Sequence, residues 1–162
     1  MKAGIVAGII MGVLNAIFDY VILNAFKSQI ISSINTYISR LPVTSTSKLP
    51  SAESLYNASL VTGPAEAVIF GAILGLALGY VLGRSYGKIP GGTPLIKSLF
   101  LGILIWVILD VLLGLADLGL LGTSFYLYTL GLSVISLLVF GYVLGFLYGK
   151  WAEVTPQPGT HN

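Results

Sequence analysis

Residues 67–83 read AVIFGAILGLALGYVLG. The run carries no charge, and its apolar positions are continuous rather than alternating, which excludes a barrel strand with one polar face. Glycine recurs at every fourth position (Gly71, Gly75, Gly79, Gly83) and again at Gly87. Residues four apart lie on one face of a helix, so this is an apolar helix with a glycine ridge. Three further apolar runs flank it, each near the ~20 residues needed to cross a ~30 Å hydrocarbon core. One spans about 3–26 and is interrupted only by Asp19; one spans about 95–116 and contains Asp110; one lies within a charge-free stretch at about 125–149. With the central helix at about 64–87, the expected fold is all-α: an integral membrane four-helix bundle.

Composition agrees. The chain has 162 residues, of which 56% are hydrophobic and only 9% are charged, where a soluble domain carries about a quarter. Mean hydropathy is +0.93. A soluble fold this short cannot hide so much apolar surface, so the lipid bilayer is the first expected partner. Cysteine is absent and the one histidine, His161, stands next to last. Disulfides, thiolate metal sites, haem ligation and histidine-based catalysis are thereby excluded, and no cofactor or metal is expected. A net charge of +2 offers no basic field for nucleic acid.

The sequence also repeats itself. Residues 79–88 read GYVLGRSYGK and residues 141–150 read GYVLGFLYGK, identical at eight of ten positions with an offset of 62. The first and third runs each carry one aspartate toward the same end (Asp19, Asp110) and a glycine before it (Gly12, Gly102). The chain therefore reads as two tandemly duplicated transmembrane hairpins about a pseudo-twofold axis along the membrane normal. An insert at 27–62 in the first outer loop breaks that symmetry. Within it, Ile30, Ile31, Ile34, Tyr37, Ile38 and Leu41 fall at helical spacing, so 28–40 is expected to be an amphipathic helix on the outer surface, or else a continuation of the first span. Pro42 closes it, 43–51 reads as a Ser/Thr-rich linker, and Pro64 suits the first turn of the second span after a Thr62-Gly63 cap. The tail at 151–162 is expected to be disordered.

Cation placement orients the chain. Arg84, Lys88 and Lys97 crowd the middle link, while Lys2 and Lys150 flank the ends. Lys27, Arg40 and Lys48 are spread over the much longer first link, and the third link holds only Asp117. Both termini and the middle link are expected to be cytoplasmic. Tyr86, Tyr148 and Trp151 suit an aromatic belt at that boundary, and the sequon at Asn57 would be usable only outside. Lys2 before an apolar run also fits a cleavable signal, but the run continues past Ala16 to Phe26 without a small-x-small site.

Glycine rows are the packing code. Gly4, Gly8 and Gly12 form one in the first span, Gly71 to Gly87 the second, and Gly141, Gly145 and Gly149 a third. In lipid, close backbone approach supplies much of the association energy between helices. Packing within the chain is the simpler expectation; docking of another membrane subunit or a second copy is the functional one. Glycine rows in a duplicated hairpin resemble the rotary-ATPase proteolipids. That resemblance implies an ion-binding carboxylate in a later helix of the hairpin, whereas here the aspartates lie in the first helix of each.

Acidic groups within spans are the default functional candidates. At ~1.5 Å per residue, Asp19 lies roughly 24 Å beyond Ala3 and Asp110 roughly 22 Å beyond Leu95, both in the outer third of the bilayer. Asn15 and Asp19 share a face with Gly8 and Gly12; Asp110 shares a broad face with Gly102, Trp106 and Asp117; Glu66 stands at the same level. If these faces converge, Asp19, Asn15, Asp110, Glu66 and Asp117 make an acidic pocket open to the outside, suited to a proton or a hard cation. The structural alternative pairs Asp19 with Lys27, bonds Asp110 to a neighbouring helix and leaves Asp117 as a loop cap. Serines and threonines have no base to activate them, so an enzyme is not expected. The expectation for function is a non-catalytic assembly or accessory subunit, or homo-oligomer, packed through its glycine ridges. The alternative is a small oligomeric proton or cation channel or transporter using Asp19 and Asp110.

Overall fold

The computed structural model describes residues 1–41 and 50–153, and among these every regular element is helical. Helix α1 (Lys2–Ala25) ends at Phe26, whose φ of −112° and ψ of 21° break the helix before α2 (Lys27–Ser39) begins. Helix α3 spans Ala52–Arg84 and α4 spans Pro94–Trp106. A π-helical segment follows at Val107–Leu113, and α5 covers Leu115–Glu153. Gly122, at φ 83° and ψ 170°, divides α5 into a short first part and a long second one. Four segments are long and apolar enough to cross a membrane: Lys2–Ala25, Ala52–Arg84, Pro94–Leu113 and Leu115–Trp151. Four such segments are consistent with a multi-pass membrane protein.

The second span begins earlier than its proline suggests. Ser51 Oγ accepts from Ser54 N at 3.1 Å, Glu53 stands in the first turn and Arg84 in the last. That is a capped helix with charges matched to its dipole. Pro64 lies inside α3 rather than in its first turn; it forfeits one backbone bond, and the packing of the preceding turns carries the helix through. Tyr56 anchors those turns. It is 1% exposed, its Oη donates to the Leu23 carbonyl at 3.1 Å, and Lys27 Nζ stands 5.3 Å from its ring centroid. The expected amphipathic helix is present as α2, separate from α1, with Ile30, Ile31, Ile34 and Ile38 half-buried. It packs on α3 and touches α5, where Ser33 Oγ donates to the Leu120 carbonyl at 2.8 Å. Phe26 meets Phe125 and Tyr128 edge-on at 5.4 and 5.8 Å. The insert is therefore a packed cap over one end of the helices. Pro42, expected to close α2, positions 43–49 of the expected linker and 154–162 of the expected tail lie outside the described residues, and Ser51 is a helix cap.

Helices α1 and α3 run antiparallel in backbone contact. A Cβ at Gly4 would stand 2.1 Å from the Gly75 carbonyl oxygen, and one at Gly8 2.1 Å from that of Gly71. Gly12 continues the seam against Ala67 and Val68, and Gly79 faces Gly4. The same decapeptide is used differently in α5. Gly141 packs against Leu99, Gly145 against Leu95 and Ser98, and Gly149 beside Pro94. Gly83, the counterpart of Gly145, meets only the Tyr148 hydroxyl at 3.7 Å and its ring edge at 4.0 Å, and Gly87 faces open space. Gly79 already lies opposite the first turn of α1, so Gly83 has no α1 residue across from it. Two of the five ridge glycines thus play no part in the seam. Ser98 adds polar glue, donating to the Gly141 carbonyl at 2.6 Å.

Helix α1 also packs on α5, α5 on α4, whereas α3 and α4 make little direct contact. Ala3, Ala7, Leu78, Leu82, Leu101, Phe140 and Leu144 form the core toward the Lys88 end. Lys97, counted in sequence with the exposed link cations, is 7% exposed in the first turn of α4. Its Nζ donates to the Tyr86 carbonyl and lies 4.0 Å from the Tyr86 ring centroid, and that ring stacks on Tyr148 at 5.5 Å. A carbonyl and an aromatic face compensate the buried charge.

Candidate functional site

At Val107–Leu113 the backbone passes from α to π hydrogen bonding, with Asp110 at the middle of the segment. A π turn admits one extra residue, which rotates everything after it relative to an unbroken α-helix. Gly114 closes the segment: a Cβ there would stand 2.2 Å from the Asp110 carbonyl oxygen and 3.2 Å from the Tyr126 ring. Only a residue without a side chain fits. Tyr126 Oη donates to the Val111 carbonyl at 3.2 Å, satisfying one group of the altered ladder.

This segment delivers Asp110 into a cavity of about 170 Å³ between the helices. Asn15 of α1, Trp106 of α4, and Ser133 and Ser136 of α5 supply the other polar lining, while Met11, Phe70, Leu74, Ile105, Leu109 and Leu137 supply an apolar wall. Both α3 and α4, which barely touch each other, contribute. Two of the polar groups are connected. Trp106 Nε1 donates to Ser133 Oγ at 2.8 Å, and Ser133 Oγ donates to the Leu130 carbonyl at 3.0 Å. A serine has one proton, and that of Ser133 goes to Leu130 while its oxygen accepts from the indole. Ser136 is 2% exposed and its Oγ has no hydrogen-bond partner.

The five polar residues singled out in sequence part company here. Asn15 and Asp110 line one cavity. Asp19 and Glu66 are exposed and Asp117 is half-buried, and none of the three lines that cavity. The face shared by Asp110 and Asp117 presumes a straight helix, and the π segment intervenes. Lys27, which the structural alternative pairs with Asp19, stands over Tyr56. Ser133, Ser136 and the donor role of Trp106 are additions from the structure. Two serines three positions apart share a helix face, which is the only signal the sequence offered for them.

Chemically, the site presents one carboxylate, two hydroxyls and a carboxamide against an indole N–H and an apolar wall. Such a set can hold a proton on Asp110 or surround a small hard cation with oxygen. Among the described residues no three His, Cys, Asp or Glu side chains group to hold a metal. The chain matches no protein-family model, no curated protein and no solved structure.

Proposed function

We propose that this is a non-catalytic multi-pass membrane protein that binds and exchanges a proton or small cation at Asp110. The observation that carries the proposal is the convergence of Asp110 and Asn15, from the two sequence hairpins, on one cavity that also holds an unpartnered buried hydroxyl. A carboxylate within a span is costly unless a partner or a function keeps it there. The cavity offers Asp110 no cationic side chain, so a proton or an exchangeable cation is the natural counter-charge. The two hairpins are taken as a duplication, with both termini facing the cytoplasm and the α2 cap outside.

The test is flux into vesicles reconstituted with purified protein. Asp110→Asn is expected to abolish proton or sodium entry, while Asp19→Asn leaves it within about twofold; equal loss in both variants would overturn the assignment to Asp110. The orientation has its own test, because a chain without cysteine accepts single reporters cleanly. A cysteine at Asn57 should react with an impermeant maleimide from outside, and one at Gly87 only after the membrane is opened.

A second reading is favoured by Asp19. It lies within the α1 span yet is exposed, which in lipid costs about 2.5–3.5 kcal/mol at the bilayer centre and less toward the surface. A second copy or another membrane subunit covering that face would relieve the cost. The glycine rows at Gly4–Gly79 and Gly141–Gly149 are taken up within the chain, so such an assembly would rest on the Asp19 face. Mass determination in mild detergent, with and without Asp19→Leu, checks it: a complex that persists unchanged in the variant rules out that face.

A further inference from the structure

We infer that the cavity at Asp110 is a site for a monovalent hard cation of the sodium class, with Ser136 as one of its ligands. The inference rests on the proposed exchange at Asp110 and names what is exchanged.

Three features of the site point the same way. The lining holds a single carboxylate. A monovalent cation beside it makes a neutral pair, whereas a divalent ion leaves an uncompensated positive charge among apolar walls. The available ligand atoms are oxygens: the Asp110 carboxylate, the Asn15 carboxamide and the two serine hydroxyls, the donor set of hard cations rather than of soft ones. The hydroxyls are not equivalent. Ser133 is engaged by Trp106 and by the Leu130 carbonyl. Ser136, equally within the lining, has no partner although it is 2% exposed. A buried hydroxyl without a partner is destabilising, and an oxygen-seeking ion in the cavity removes that penalty. A cavity of about 170 Å³ has room for such an ion with a few waters, each taking roughly 30 Å³.

The test uses the full-length protein, purified in detergent, and a hydrophobic carbodiimide that modifies protonated carboxyls in apolar surroundings. Modification of Asp110 is followed by peptide mass, and melting temperature is read in parallel, in sodium, choline and magnesium chlorides at matched ionic strength. Sodium is expected to slow modification of Asp110 and raise the melting temperature, with magnesium and choline doing neither. In Ser136→Ala, modification persists but the sodium concentration giving half-protection rises about tenfold, the loss of one hydrogen-bond-scale contact. Without sodium this variant melts no lower than the natural protein, since it only removes an unsatisfied group. Modification that responds to pH but not to sodium overturns the cation assignment and leaves proton exchange standing. The same holds if magnesium protects as well as sodium. Absence of modification at Asp110 at every pH, with no effect of sodium on melting, overturns both.

Discussion

Gly75→Ala is expected to lower the stability of the α1/α3 pair by roughly 3 kcal/mol, the upper part of the range for overpacking a tight interior. The added Cβ would stand 2.2 Å from the Gly4 carbonyl oxygen and 2.7 Å from the Gly8 Cα. Both neighbours are backbone, so no rotamer change can make room, and the helices must move apart. Once apart they lose the close contact that holds them, and lipid supplies little hydrophobic drive to restore it. Gly83→Ala is the control. It lies on the same ridge, but its nearest neighbour is the Tyr148 hydroxyl at 3.7 Å, and alanine is the better helix former by about 1 kcal/mol. At ~2–4 °C per kcal/mol, Gly75→Ala should melt roughly 6–12 °C below the natural protein in detergent, with Gly83→Ala at or above it. Equal melting of the two variants would mean that the ridge is not the seam.

That contrast marks what was legible. Four apolar runs of membrane length and glycines every fourth residue are direct statements about helices and faces, and a long apolar helical segment covers each run, though the second and fourth start near 52 and 115 rather than 64 and 125. Which glycines work depends on how far the opposite helix reaches, which the repeat cannot encode: 79–88 and 141–150 share eight of ten residues yet present different glycines to their neighbours. Pro64 lies inside α3 for a related reason. Proline favours a first turn when nothing else decides, but the cap at Ser51 and the burial of Tyr56 start α3 twelve positions earlier. The π segment had no such signal, because its hydrogen-bond pattern leaves no mark in composition beyond Gly114 behind it. Its effect is to bring Asp110 to Asn15 without Asp117, which straight-helix arithmetic could not foresee. Ser133 and Ser136 were hidden by their setting, since small hydroxyl residues barely lower the hydropathy of an apolar run.

The cap over the α2 end yields the sharpest local prediction. Tyr56→Ala should release it, at a cost of about 3–5 kcal/mol for a large buried aromatic truncated to alanine. Tyr56→Phe should lose only about 1 kcal/mol, the worth of the bond from Tyr56 Oη to the Leu23 carbonyl. The ring matters more than the hydroxyl because it is what α1, the start of α3 and the Lys27 ammonium share. The damage should stay local, since the core of Leu82, Phe140 and Leu144 lies at the other end. Trypsin reads the difference: cleavage after Lys27 and Arg40 should accelerate strongly in Tyr56→Ala and little in Tyr56→Phe, while cleavage after Lys97, buried under Tyr86, should not change. Because α2 also bonds the Leu120 carbonyl and Phe26 packs on Phe125, the released cap loses its hold on the first part of α5, next to the π segment that carries Asp110. Flux through vesicles bearing Tyr56→Ala should therefore change even though no residue of the cavity is touched. Unchanged flux alongside fast cleavage would show that the cap and the Asp110 cavity are independent.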